Sequence, residues 1–392
     1  MIKLIDLLET TTSEDTKAAQ QRRRKFRMIF EGGEVGFELS AEEFQELNDF
    51  ANQYGSDLTP LVDKELQEKG KPSYLKMTSG ELEEGGYVIK IDKEVFDGLD
   101  EIIDLGMVSK KWYEDLNKKI MESLSESDGC LFLILLGIFA SFARLSDNFR
   151  LASQVYVGLK KDLSNPETEN QLMEMINLSP TEIYKRIKEK DEFKNLATVQ
   201  GFIKGNKSTP TVLPNIVRTL RLYKQMGYKF TMKEVAQELG RHINPETGAL
   251  KDSKVISSEK ICAFTLNLLD PTYKTESGWM PVTMDIWMAT FFYPKLSTEE
   301  KRKLLAQNKS YVYLAHKTHE LAQKYGMEPL EMQAIIWVGK IRKLKGDNYL
   351  STFEQAIDKN IQKFQIKVEE LQNAKSVFEE IIKMIGSKSL GI

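Results

Sequence analysis

From Ser109 onward apolar residues recur every three and four positions, the spacing that lays one apolar stripe along an α-helix. The pattern predicts amphipathic segments near 109–124, 129–143, 147–161, 169–178, 180–190, 212–226, 231–240, 257–269, 284–293, 297–307, 311–325, 328–344 and 351–386. Asp128-Gly129, Asn165-Pro166 and Pro180, Pro210, Pro214, Pro245, Pro271, Pro281 and Pro294 punctuate them. One segment has no polar side. Cys130 to Ala143 reads CLFLILLGIFASFA, a helix buried all round, and at about 14 residues it falls short of the roughly 20 that a membrane span needs. The last segment, Ser351 to Ile385, predicts one long helix with Phe353, Ile357, Ile361, Phe364, Val368, Phe378 and Ile382 on its apolar side. Such a helix packs across the body as a lid or offers a face for a homodimer or another protein partner.

The N-terminal third reads differently. Residues 1–20 form an arm with a short helix (Ile2 to Leu8), ahead of the basic cluster Arg22, Arg23, Arg24, Lys25 and Arg27. Met28-Ile29-Phe30, a Gly32-Gly33 turn and alternation through Val35 and Phe37 predict a hairpin, and Ser40 with Glu43 caps a helix from Ala41 to Tyr54. Two further strands, near Ser73–Met77 and Tyr87–Ile91, precede a helix from Lys93 to Leu105. The expected organisation is an arm (1–20), a small acidic α+β module (21–106), a helical body (107–345) and a long C-terminal helix (346–392), in a fold that is mainly α.

Composition sharpens this only in part. The 392 residues are 41% hydrophobic and 29% charged, which excludes collagen-like and wholly disordered chains. Cys130 and Cys262 alone make neither a disulfide framework nor a metal-ligand set, and fit a reducing, cytoplasmic setting. No basic-then-apolar signal segment is expected at the start. Charge is uneven: seventeen Lys and Arg face twenty-nine Asp and Glu up to Cys130, against thirty-eight and twenty-nine beyond it. A basic body beside an acidic module fits a nucleic-acid partner for the body, or one part facing the other.

No phosphate loop, dinucleotide fingerprint or HExxH helix occurs. His316 and His319 share a helical face without a carboxylate at matching spacing, so neither a metal nor a cofactor is expected. Ser257 to Phe292 stands out. A serine-capped helix carries Lys260 in its first turn and stops at Asp270-Pro271; after a polar loop a second helix opens at Pro281-Val282-Thr283-Met284-Asp285. By spacing alone Asp285 is a helix cap. A carboxylate at a helix N-terminus is also held ionised, and an ionised aspartate facing a pocket can act on a developing cation or a water.

Lys260, Phe264, Asn267, Asp270, Pro271, Val282, Thr283 and Asp285 resemble the hairpin region of the helix-hairpin-helix DNA glycosylases, closest to a divergent phage-borne branch with the pattern K-V-R-x-F-x-x-N-I-x-D-P and then V-T-x-D. Two flanking segments are also similar to that branch: Phe132 to Leu136 followed by Asn148 to Ala152, and Met332-Gln333-Ala334-Ile335-Ile336-Trp337. The resemblance covers about residues 125 to 345. It implies cleavage of the N-glycosidic bond of an unusual base in DNA, with Asp285 stabilising the sugar cation and orienting a water. Lys260 would attack C1′ as a free amine or simply touch a phosphate. Base-pocket candidates are Ser141, Asn148 and Trp287, although Trp287 as plain core is an equal reading. Phosphate contacts fall to Lys254, Ser257 and Ser258 at the helix start, with Arg218, Arg221 and Lys224 on an earlier helix, where a solvated face is an equal reading. The departures are specific: Ile256 and Ser258 stand where the family's hairpin has glycines, Trp287 where it has histidine and Thr290 where it has arginine. A helical scaffold that binds DNA or protein without catalysis is therefore the alternative.

Overall fold

The computed structural model describes residues 70, 74–77, 86–140, 145–190, 192–203, 209–244, 256, 258–346, 352–372, 374 and 376–391. The arm, the basic cluster, the Gly32-Gly33 hairpin and the helix from Ala41 lie outside the described residues. Two strands come first, β1 (Tyr74–Met77) and β2 (Gly86–Ile89), followed by α1 (Leu99–Gly106), α2 (Trp112–Ser123), α3 (Glu126–Phe139), α4 (Leu145–Leu163) and α5 (Pro166–Asn177). Then come α6 (Pro180–Lys190), α7 (Ala197–Ile203), α8 (Thr209–Gln225), α9 (Met232–Gly240), α10 (Glu259–Leu269) and α11 (Ile286–Phe292). The chain ends with α12 (Thr298–Leu305), α13 (Asn308–Tyr325), α14 (Pro329–Lys345), α15 (Phe353–Lys363) and α16 (Val377–Leu390). The fold is mainly α, as the periodicity predicts. Where Lys93 to Leu105 was expected to be one helix, a 3-10 turn (Lys93–Phe96) precedes α1, with the break at Asp97-Gly98.

The chain divides into two compact units: residues up to Asp100 with Met284–Lys317, and Glu101–Thr283 with Thr318–Ile392. The larger is built around α3. Ser125 caps it by accepting from the Asp128 N–H, and every residue from Gly129 to Phe139 is buried. Five helices, α2, α4, α8, α9 and α10, pack on it, which is what an apolar run with no polar side demands. Glycines set the closest approaches. A Cβ on Gly137 would stand 2.0 Å from Thr265 Oγ1 of α10, and one on Gly339 of α14 would stand 2.0 Å from the carbonyl oxygen of Ile102. Gly106 meets the Ile335 carbonyl in the same way. Ser109 Oγ donating to Ala334 O (3.0 Å) and the Lys343–Glu101 ion pair (2.6 Å) complete that seam.

α4 carries α7, α15 and α16 on its other side. The buried Asp162 carboxylate reaches the start of α7, accepting from Ala197 N (3.0 Å), Thr198 N (2.8 Å) and Thr198 Oγ1 (2.6 Å). The expected long C-terminal helix is instead three pieces: α15, a 3-10 turn at Val368–Leu371, and α16. The chain leaves α15 through Gln365 in the left-handed region (φ 51°), Lys388 Nζ returns to donate to Phe364 O (2.6 Å), and Ser376 caps a fresh helix. The apolar spacing is real, but it serves two shorter helices whose Phe353 and Phe378 pack on Phe149 of α4 (5.2 and 6.0 Å between ring centroids).

In the smaller unit β1 and β2 pair antiparallel, from Tyr74 with Ile89 to Met77 with Gly86. Residues 284–317 group here, whereas the sequence assigned them to the helical body. Their aromatic run explains it: Tyr293 is fully buried and its hydroxyl donates to Ile89 O (2.5 Å), Phe291 meets Phe96 edge-on (6.4 Å), and Lys295 pairs with Asp92 (3.1 Å).

Overpacking of this kind costs about 1–3 kcal/mol, so Gly339→Ala is expected to lower the thermal midpoint by several degrees; an unchanged midpoint would mean that the backbones are not in contact. Cys130 and Cys262 are fully buried, and desolvation, aided by nearby Glu126 and Glu259 respectively, pushes both thiols up to about 12. Both are therefore neutral at pH 8, and a thiol reagent is expected to label neither in the folded chain and both after unfolding.

Candidate functional site

The segment with the strongest chemical signal folds as helix, loop, helix. Ser258 occupies the N-cap position of α10 without a capping hydrogen bond from its side chain, and Lys260 follows in the first turn. The Lys260 amine donates to the carbonyl of Ala140 (3.1 Å), the C-terminal cap of α3. A lysine at the negative end of a buried helix is stabilised by the dipole and supplies a donor to one of the helix's last carbonyls. At the other end of α10, Asn117 Nδ2 donates to Leu268 O (2.7 Å) and Leu269 O (3.0 Å).

The loop from Asp270 is ordered by its own polar groups. Asp270 Oδ1 accepts from Thr272 N (3.1 Å) and Thr272 Oγ1 (2.7 Å), Gly278 turns the chain at φ 82°, and Lys274 pairs with Glu328 (2.9 Å). His319 stacks flat on Trp279, with ring centroids 3.8 Å apart and 7° between planes, and donates from Nε2 to Met280 O (2.8 Å). That carbonyl can only accept, so the Nε2 hydrogen is fixed. Asn267 Nδ2 closes the loop's far end on Thr283 Oγ1 (3.3 Å). Asp285 then caps α11, its Oδ1 accepting from Trp287 N (2.9 Å) and Met288 N (3.0 Å).

Lys260 belongs to the larger unit and Asp285 to the smaller one. Ser141, Lys254 and Ser257 lie outside the described residues. Ile256, in the place of a hairpin glycine, is fully buried and is part of the main core. The Arg221 guanidinium donates to Ile176 O and to Leu178 O (2.6 Å), holding the C-terminal end of α5, so a phosphate there would have to compete with two carbonyls. Arg218 on the same helix is half-buried and Lys224 is exposed. Asn148 is buried in α4 with an Oδ1 that accepts no hydrogen bond, and Trp287 is half-buried on α11.

Several residues that carry the resemblance do meet inside the larger unit. Phe264 lies against Trp112 (6.1 Å) and Tyr113 (5.9 Å), Trp337 lies edge-on to Trp112 (5.6 Å), and Tyr113 donates from its hydroxyl to Gln333 Oε1 (2.8 Å). Trp112 and Tyr113 were missed by the sequence reading. Their signal was slight, a Trp-Tyr pair at the start of an amphipathic helix, with nothing to connect them to Gln333 some 220 positions away. Beside Tyr113 opens a cleft of about 360 Å³, walled by the start of α2, the loop after α10 and the start of α14. Among the described residues no group of His, Cys, Asp and Glu could hold a metal ion, and no helix is long and apolar enough to cross a membrane.

Lys260→Met removes a charged hydrogen bond, a class worth about 1.5–3 kcal/mol, and is expected to lower stability in urea unfolding by that order; a neutral effect would detach Lys260 from the α3 cap. Tyr113→Phe leaves Gln333 Oε1 unpaired and is expected to cost about 1–3 kcal/mol in the same measurement, while an unchanged midpoint would place the amide elsewhere.

A family of unknown function, DUF7178, matches residues 241–345. No curated protein and no solved structure matches the chain. The matched segment runs from the end of α9 through α10, the ordered loop and α11 to the last residue of α14, and so contains both Lys260 and Asp285 and two of the three walls of the cleft.

Proposed function

We propose that the chain is a DNA glycosylase-like protein that cleaves the N-glycosidic bond of an unusual or modified base in DNA. The observation that supports it best is the meeting of two separated segments of the resemblance, Phe264 on α10 and Gln333 with Trp337 one turn apart on α14, around Trp112 and Tyr113 in a region whose α10 also carries Lys260. Residues scattered over more than 70 positions of sequence have one spatial neighbourhood, as members of a functional set require.

On this reading Asp285 is the working carboxylate. One oxygen is spent on two backbone N–H groups, which fixes the side chain, and the other is left to face the cation that develops at the sugar and to orient the attacking water. Lys260, its amine directed at Ala140 O, positions α10 on α3 and does not attack C1′, so the reaction is hydrolytic and leaves no imine. DNA is the partner, and no cofactor takes part.

A second reading is favoured by specific contacts: a catalytically inactive helical protein that binds DNA or protein. Lys260 and Arg221 are each engaged with backbone carbonyls, and Ile256 fills core where a glycine would let the backbone reach a phosphate.

Duplexes bearing uracil, oxidised, alkylated and phage-type modified bases separate the two. Wild type is expected to generate alkali-labile sites on at least one duplex, Asp285→Asn to lose them by about 100-fold or more, and borohydride to trap no protein–DNA adduct. No product on any duplex would overturn the catalytic reading, and a trapped adduct lost in Lys260→Met would overturn the role given to Lys260.

A further inference from the structure

The cleft beside Tyr113 has walls held by their own hydrogen bonds. Tyr113 is tied through its hydroxyl to Gln333, Thr272 is tied to Asp270, and Glu331 at the start of α14 accepts from the Glu328 N–H (3.0 Å). Its apolar lining is Tyr113, Met280 and Leu330, all buried, with the half-buried Pro271. At about 360 Å³ it falls at the small end of sites that take an organic molecule. The charged side chains of the same lining are three carboxylates, Glu114, Glu328 and Glu331, against two ammonium groups, Lys110 and Lys274. Four of these five are matched. Lys274 reaches both oxygens of Glu328 (3.1 and 2.9 Å), and Lys110 lies 3.6 Å from Glu331. The exposed Glu114 carboxylate has neither an ion pair nor a hydrogen bond among the described residues, so the charge the cleft has left to offer is negative.

We propose that this cleft binds a small organic cation, a primary amine on an apolar body of phenethylamine size, with the ammonium group paired to Glu114 and the body against Tyr113, Pro271, Met280 and Leu330. Each requirement comes from a different part of the lining. The apolar residues favour a ligand that takes apolar surface out of water, and the unspent carboxylate favours one that brings a positive charge. An anion is disfavoured, because both lysines already have a carboxylate and Glu114 repels it. Nothing in this depends on DNA or on chemistry at Asp285, so absence of glycosylase activity leaves it standing.

The test is equilibrium binding to the intact chain at low salt, followed by ligand-observed NMR and thermal shift. The probes are matched in shape and differ in charge: phenethylamine and hexylamine, the neutral 2-phenylethanol and hexanol, and the anionic 3-phenylpropionate. At least one amine is expected to bind saturably and raise the midpoint, about two- to fivefold more tightly than its alcohol, with the carboxylate weakest. Raising the salt is expected to erase the preference for amine over alcohol. Two surface variants should move the amine in opposite directions. Glu114→Gln is expected to weaken it about two- to fivefold, and Lys274→Met, which releases Glu328, to strengthen it by a similar factor, with the alcohol unchanged in both. No saturable response to either amine at millimolar concentration overturns the proposal. Equal binding of amine and alcohol overturns it too, as does unchanged amine affinity in both variants, which would place the amine outside this cleft.

Discussion

The structure depends on α3, a helix with no side to spare for water. Eleven consecutive buried residues, Gly129 to Phe139, have to be covered on every face, and five helices are recruited to do it. Each of its large side chains contributes about 1.5–3 kcal/mol by leaving water, and no arrangement with an exposed α3 could compete. The covering helices inherit their positions from this demand. α10 is one of them, seated through Gly137 against Thr265 and tied at its start by Lys260 to the carbonyl of Ala140. The helix that carries Lys260 is therefore placed by the core.

This coupling explains why Lys260 has two readings. The amine sits where a helix end needs a cation, and it donates to the carbonyl of Ala140 at the end of α3. Arg221 repeats the pattern at the end of α5. Basic side chains that a sequence offers as phosphate contacts are, in both places, spent on carbonyls that helices leave unpaired at their ends.

The fold was legible wherever a single period governs the pattern. The all-apolar run from Cys130 and the breaks at Asn165-Pro166, Pro180, Pro271 and Pro294 gave helices close to those observed, whereas Asp128-Gly129 and Pro214, read as breaks, lie inside α3 and α8. It failed where the period is satisfied by more than one geometry. The spacing from Phe353 to Ile385 is helical throughout, yet nothing in it shows that the chain reverses near Gln365 and lays two helices on α4. The division into units failed at 284–317 for a similar reason: Phe291-Phe292-Tyr293 reads as one apolar turn of a helical body, and its actual partners, Ile89 and Phe96, are some 200 positions earlier. In the candidate site, Asp285 as a helix cap was visible from local sequence because capping is local. The Trp112, Tyr113, Gln333 and Trp337 cluster was not, because its contacts span distances over which spacing carries no signal.

The most direct test of the account is a crystal structure of the protein with a duplex carrying a non-hydrolysable nucleoside analogue. The account predicts the analogue everted from the stack, with the free Asp285 oxygen against C1′ and Lys260 still bonded to Ala140 O. A duplex that stays fully stacked, or an Asp285 remote from the sugar with both oxygens spent on backbone, would contradict it.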